Sequence, residues 1–307
     1  MPVLSILGPT ASGKSDLAMI LAEKLNGEII SCDSMQVYKG MDIGTAKPSR
    51  EDQQKIPHHL VDCFDIQTRY SASMFYELAG ELISQIEAKG KVPVIAGGTG
   101  MYVRLLLYGN NMPPADRELH ALLKKRLAEE GREKLLEELK LIDPETSERV
   151  KDNDRRLIRA LEAVTLTGKP IPLKTAWGDI PVIPGMQVVN MCSPDLNRSR
   201  IVQRCGKMLR SGWIEETERL IASGLWDSPT ACQSLGYRQI GDYLEGGFES
   251  FEALEEKIIT LTCRYAKRQR TWFRNQHPGA VHIERREGDS SEEIAENIEE
   301  DFRKQFF

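Results

Sequence analysis

The sequence predicts an α/β fold: a doubly wound parallel sheet into which an all-helical domain is inserted. Three observations lead there. Short apolar runs at 3–7, 28–32, 92–96 and 187–192 alternate with helical patterns, as strands covered on both faces do. The first run passes directly into Gly8-Pro9-Thr10-Ala11-Ser12-Gly13-Lys14-Ser15 and then into a helical pattern at Leu17, Ala18, Ile20, Leu21 and Leu25. From 113 to 185 the texture changes to charged amphipathic helices with no strand among them.

The first strand, 3–7, is needed to deliver the glycine-rich string. A G-x-x-x-x-G-K-S string between a strand and a helix is a P-loop, so the sheet is of the P-loop NTPase-like kind. Gly8 and Gly13 allow the backbone angles that wrap N–H groups round an anion, Lys14 adds a point charge, and Ser15 can hold Mg²⁺ on the phosphates. The whole of 8–15 is therefore a candidate diphosphate or nucleotide site. The second strand, 28–32, ends in Asp33. In a doubly wound sheet the carboxyl ends of the strands open onto the ligand crevice. A carboxylate there could coordinate Mg²⁺ through water, take a proton from a nucleophile, or merely cap the next turn.

A helix over 73–88 follows, with Phe75, Leu78, Ala79, Leu82, Ile83 and Ile86 at helical spacing and Lys89-Gly90-Lys91 as its stop. The strand at 92–96 ends not in the carboxylate of a Walker B element but in Gly97-Gly98-Thr99-Gly100. Helices at 117–130, 134–141 and 154–166 form the insertion, 113–185, of a kind that can move as a lid. Prolines flank it, at Pro113-Pro114, at Pro170-Ile171-Pro172 and at Pro181 and Pro184. The core is then 1–112 with 186–307. After the strand at 187 the chain is helical again, with turns at Gly212, Gly224, Gly236 and Gly246-Gly247, a short strand at 280–283 and an acidic helix over 291–304.

The 307 residues are 40% hydrophobic and 7% aromatic, with no run of 18 apolar residues, so a membrane span is not expected. The start enters the first strand without a basic region, and no signal peptide is expected. Six cysteines lack any C-x-x-C spacing, and the adjacent His58 and His59 point to opposite sides of an extended chain. Reduced thiols in a cytoplasmic protein without a zinc site are the reading. The net charge of −5 argues against nucleic acid until its distribution is considered. From Glu284 onward nine acids face four bases, so the rest is neutral. Bases then cluster at Arg149, Lys151, Arg155, Arg156 and Arg159; at Arg198, Arg200, Arg204, Lys207 and Arg210; and at Arg264, Lys267, Arg268, Arg270 and Arg274. Such clusters could hold phosphates, although an Arg- and Glu-rich helix is often only a solvated face.

The strings at 8–15, 33–49, 56–62, 97–102, 235–240 and 266–274 together resemble those of the bacterial tRNA dimethylallyltransferases, in order and over nearly the whole chain. The resemblance implies transfer of a dimethylallyl group from dimethylallyl diphosphate to N6 of adenosine 37, just 3′ of the tRNA anticodon. It implies a monomer working with Mg²⁺. It makes Asp33 the base, with Thr99 beside the amine and Lys14 assisting, and Arg204 a further contact to the diphosphate. By the same resemblance Asp33, Ser34, Met35, Gln36 and Thr99 touch the extruded nucleotide. Arg155, Arg156, Leu157, Ile158 and Arg159, then Gln233, Ser234, Leu235, Gly236, Tyr237 and Arg238, and Lys267, Arg268, Gln269, Arg270 and Trp272 contact the anticodon stem-loop. His120 stands where the family commonly has a base. The zinc finger of eukaryotic relatives is absent.

Independently of the family, Arg264, Lys267, Thr271 and Arg274 fall on one face of the helix through Ala266, with Tyr265, Gln269 and Trp272 on another. That face could position RNA by its phosphates. Two other functions suit the P-loop: a small-molecule kinase using ATP, and a non-catalytic RNA-binding ATPase switch. The kinase leaves the Gly-Gly-Thr strand end and the basic helix unexplained.

Overall fold

Six parallel strands make one sheet in the order β3-β2-β4-β1-β5-β6: β1 (Val3–Leu7), β2 (Gly27–Cys32), β3 (His58–His59), β4 (Val92–Gly97), β5 (Gly185–Cys192) and β6 (Val281–Arg285). The computed structural model describes residues 1–110, 112–170, 180–277 and 279–307. β1 and β2 are buried along their whole length, which is why they are apolar runs rather than alternations. The register aligns Leu7 and Cys32 with Gly97, and Leu7 with Val189. The segments that begin at Gly8, Asp33 and Gly98 therefore leave the sheet at the same end, beside which β5 runs on to Cys192.

The chain divides into two units, Met1–Leu107 with Pro181–Phe307, and Tyr108–Ile180. In the first, α1 (Lys14–Lys24), α2 (Arg50–Lys55), α3 (Ala72–Ala88) and α4 (Gly100–Tyr108, its last residue in the second unit) follow the early strands. The second unit holds α5 (Arg117–Glu130), α6 (Arg132–Ile142), α7 (Pro144–Val150) and α8 (Asp154–Thr167). The first unit resumes with α9 (Pro194–Met208), α10 (Ile214–Ala222), α11 (Tyr237–Leu244), α12 (Phe251–Gln276) and α13 (Ser291–Phe306).

The apolar core of the first unit joins one sheet face to two helices. Leu4, Ile6, Ile29, Val94 and Val188 of the strands pack with Leu17 and Leu21 of α1 and Ile298 and Phe302 of α13. The acidic C-terminal helix thus carries its charges outward and closes the core with its other face. In the second unit, Leu123, Leu135, Leu139, Leu157, Ile158, Leu161 and Val164 form a separate cluster. Side-chain caps explain where its helices begin: Asp116, Asp143 and Asn153 accept the N–H groups of Leu119, Thr146 and Arg156.

Several elements depart from the expectation, the helices α2 and α4 among them. β3 is a two-residue edge strand made of the histidine pair, too short and too polar to announce itself; His59 Nε2 lies 2.8 Å from Glu28 Oε2. Helix α7 begins at a proline whose missing N–H suits a first turn, and was not expected. β5 starts at Gly185, two residues early, because a glycine lies so close to β1 that a Cβ would stand 2.1 Å from the Val3 carbonyl oxygen. The expected proline flank at Ile171-Pro172 lies outside the described residues. Among the described residues no helix is long and apolar enough to cross a membrane, and all six cysteines are free.

Candidate active site

The loop from Gly8 to Ser15 is held from outside by side chains that occupy its own polar groups. Asn190 Nδ2 donates to the Ser12 carbonyl (3.0 Å), and Asn197 Nδ2 to the Thr10 carbonyl (2.9 Å). Gln269 accepts the Thr10 N–H (2.9 Å) and donates to the Gly98 carbonyl (2.9 Å). Gly8 is irreplaceable on space alone, since a Cβ would lie 2.2 Å from the Asn190 carbonyl oxygen. Gly13 (φ 84°) and Ala11 (φ 59°) take left-handed conformations, the second of them a strained choice for a residue with a Cβ. The Thr10 and Ser12 N–H groups are spent within the protein, on Gln269 and Pro9. The donors left for an anion are those at the start of α1, a helix whose N-terminus has no side-chain cap.

That uncapped end opens on a cavity of about 810 Å³, lined by Thr10, Lys14, Ser15, Asp33, Ser34, Met35, Gln36 and Arg204 among others. Burial pushes the Lys14 ammonium down to about 8; Arg204 pushes the same way and Asp33 opposes. Among the described residues Lys14 donates only to the Pro9 carbonyl (3.3 Å). Burial likewise lowers the Arg204 guanidinium, against the pull of Asp33. Among the described residues Arg204 has no hydrogen bond and neither cation has an ion pair. Two desolvated cations and a bare helix N-terminus without an anion form a site built for one. Apolar walls from Ile201, Met208, Leu261 and Tyr265 adjoin it.

Asp33 does two things that the sequence left as alternatives. Its Oδ1 accepts the N–H groups of Met35 (2.8 Å) and Gln36 (3.3 Å), capping a turn. Its Oδ2 makes no hydrogen bond among the described residues, and the half-buried side chain lines the cavity. Ser34, Met35 and Gln36 stand beside it. Gln233, Ser234, Leu235, Tyr237 and Arg238 line the same cavity, and the Ser234 hydroxyl lies 2.8 Å from Met35 Sδ. Ser15 and Asp33 are hard oxygen donors of the type Mg²⁺ takes alongside phosphate oxygens. Among the described residues no group of three or more His, Cys, Asp or Glu could hold a metal by itself.

Several residues expected at the substrate stand elsewhere. Thr99 does not line the cavity; its N–H donates to the Cys32 carbonyl and its carbonyl accepts from Tyr102, so it opens α4 behind the wall. Gln269 does line the cavity, but it is buried and its amide is spent on the P-loop and the Gly98 turn. Gly236 is pressed against the Trp213 ring, 2.1 Å from where a Cβ would sit. Arg270 Nη2 donates to Asn197 Oδ1 at 3.3 Å, and Trp272 abuts Gly100. Leu157 and Ile158 belong to the core of the helical unit and present nothing outward. Arg159 donates to the carbonyls of Pro113 and Pro114 and pairs with Glu162, whose carboxylate also holds the Asp116 N–H and His120. Arg159 and His120 thus brace the unit itself, whereas Arg155 and Arg156 are exposed.

On α12, Arg264, Lys267, Arg268, Thr271 and Arg274 are exposed, while Tyr265, Gln269 and Trp272 turn inward. Arg268 lies over the Tyr265 ring at 5.6 Å and lines the cavity with it. The braces Asn190 and Asn197 escaped the sequence reading. Asn190 alone left a trace, a polar residue inside the apolar run of β5.

Residues 36–276 match a family model described as IPP transferase. A protein of Kocuria rhizophila named tRNA dimethylallyltransferase is 42% identical over 273 residues, 89% of this chain and 86% of that one. One of the same name from Geobacillus thermodenitrificans is 40% identical over 98% of this chain and 95% of its own. The crystal structure of a tRNA isopentenylpyrophosphate transferase from Staphylococcus epidermidis superposes with a TM-score of 0.73 at 34% identity, over 99% of this chain and all of the other. A eukaryotic dimethylallyltransferase described as acting on tRNA gives a TM-score of 0.84 at 26% identity, over 99% of this chain and 80% of that one.

Proposed function

The chain belongs to the IPP transferase family, and from that premise we infer that it is a tRNA dimethylallyltransferase. It transfers the dimethylallyl group to N6 of the adenosine at position 37 of tRNA, and diphosphate leaves. The observation that carries this reading at the level of the site is the pairing of an anion cradle, Lys14, Arg204 and the α1 N-terminus, with the free Oδ2 of Asp33 in one cavity. The donor is dimethylallyl diphosphate, its diphosphate in the cradle and its chain on the apolar walls.

The exocyclic amine of adenine is a poor nucleophile because its lone pair is delocalised into the ring. As the bond from N6 to the prenyl carbon forms, the carbon–oxygen bond to the diphosphate breaks, and Asp33 Oδ2 takes the proton released from N6. Positioned proton transfer contributes about 10² to 10⁴ in rate. Lys14, Arg204 and the helix N–H groups stabilise charge that grows on the departing diphosphate. Ser15 would hold Mg²⁺ beside the diphosphate, and the ion would add neutralising charge there. Thr99, behind the cavity wall, acts on the amine at most by fixing the turn that carries Gly98.

The adenosine must leave its stack to enter the cavity. Ser34 to Gln36 and the 233–238 segment would receive it, and the exposed bases Arg155, Arg156, Arg264, Lys267 and Arg274 would hold the RNA by its phosphates. Six free cysteines and a tRNA substrate suit the cytoplasm. No observation favours an ATP-dependent kinase. Nucleoside mass spectrometry of tRNA incubated with enzyme and dimethylallyl diphosphate tests the reading: N6-(dimethylallyl)adenosine should form, and unmodified adenosine throughout would refute it.

A further inference from the structure

Glu216 on α10 is buried, 2% exposed, and no cation pairs with it among the described residues. Its carboxylate instead collects four neutral donors. Oε2 accepts the N–H groups of Asp42 (3.0 Å) and Ile43 (2.8 Å), and Oε1 accepts the N–H of Gly44 (3.1 Å) and the hydroxyl of Tyr237 (2.6 Å). Burying a carboxylate without a countercharge is expensive, and only these donors offset it. The chemistry demands a carboxylate: four donors need two acceptor oxygens, and an amide in its place would turn N–H groups toward N–H groups.

The loop so held leads to the reacting residue. Gly44 is pressed against Trp213 and Tyr237, with a Cβ placed 2.1 Å from the Trp213 indole nitrogen and 2.4 Å from the Tyr237 ring. The next two carbonyls, of Thr45 and Ala46, each accept from Gln36 Nε2 at 3.2 Å. Gln36 Oε1 accepts the Ser31 hydroxyl, and the Gln36 N–H reaches Asp33 Oδ1. No link in this series touches the anion cradle, which Asn190, Asn197 and Gln269 hold independently.

We infer that Glu216 is a positioning residue for the transfer: through the 42–46 loop and Gln36 it fixes the orientation of Asp33 and the wall that receives the nucleobase. This rests on Asp33 being the proton acceptor. The test is steady-state kinetics of the full-length Glu216→Gln variant with tRNA and dimethylallyl diphosphate, with calorimetry of donor binding. A small misplacement of a reacting group costs about 10²-fold, so kcat should fall by that order. The KM for the donor should stay within about twofold, because the cradle is untouched. A kcat within about threefold of the parent would overturn the inference, as would a kcat loss that merely follows a reduced donor-binding stoichiometry. Should Glu216→Gln not fold, Tyr237→Phe removes one donor from the same carboxylate. It should lower kcat several-fold with the donor KM unchanged, and an unchanged kcat would again overturn the inference. Asp33→Ala, run alongside, separates the two failures: an active Asp33→Ala refutes the base assignment, whereas an inactive one beside a fully active Glu216→Gln refutes only the role of Glu216.

Discussion

The two oxygens of Asp33 divide the labour of the site. Oδ1 is committed to the turn at Met35 and Gln36, so the side chain is oriented before substrate arrives, and Oδ2 is left for the proton transfer proposed above. Asp33→Ala should abolish turnover while tRNA affinity, measured by filter binding, changes by no more than a few fold. A large loss of binding would recast the residue as an RNA anchor. Lys14 carries a second prediction. Its ammonium is lowered to about 8 by burial, so the free enzyme holds the charge below that pH and loses it above. Affinity for the donor should therefore be full near pH 7 and weaken as pH rises through 8, and Lys14→Ala should remove that dependence along with most of the affinity. A donor affinity flat from pH 7 to 9.5 would mean that Lys14 is not a cradle cation. At this scale the P-loop and Asp33 were legible because spacing and strand context specify them. The bonds of Gln269 to Thr10 and Gly98 were not legible, since a glutamine's bonds depend on what another element brings to it.

Helix α12 has two faces with different occupations. Its exposed side carries Arg264, Lys267, Thr271 and Arg274, and its buried side sends Gln269 between the P-loop and the Gly98 turn. The helical period predicted the split into faces, and the burial pattern follows it. What the inner face does could not be read, because the P-loop lies 259 residues away in sequence. Gln269→Ala would leave the buried Thr10 N–H and Gly98 carbonyl without partners, at a cost of about 1–3 kcal/mol. Donor affinity should fall by about tenfold on that account while tRNA affinity is retained, by calorimetry and filter binding respectively. Lys267→Ala on the opposite face should do the reverse. Equal losses of both ligands in both variants would show that the faces do not act separately. β3 and α7 were illegible for a different reason: a two-residue edge strand and a seven-residue helix carry too little periodicity to stand out from a loop.

Net charge describes the whole molecule poorly. The value of −5 belongs to the last 24 residues, whose helix turns Ile298 and Phe302 inward and its acids outward, and the remainder is neutral with basic faces. The sequence changes texture near residue 113 and the second unit runs over Tyr108–Ile180, but the roles of its bases were not legible. Arg159 reads like its neighbours in sequence, but it spends its guanidinium on Glu162 and two proline carbonyls, leaving Arg155 and Arg156 as the outward charges of α8. The electrostatic part of tRNA binding should then come from exposed bases alone. Removing one cation that neutralises a phosphate reduces the slope of log K against log salt by about 0.7 to 0.9. Arg155→Ala and Arg156→Ala should each weaken tRNA binding and flatten that slope by about this amount, with the donor KM unchanged. Arg159→Ala should instead lower the melting temperature, because it strands the buried Glu162 carboxylate without its cation. If Arg159→Ala flattened the salt slope without a thermal shift, the brace would be an RNA anchor after all; if the Arg155 and Arg156 variants left the slope unchanged, the helical unit would have no electrostatic part in holding tRNA.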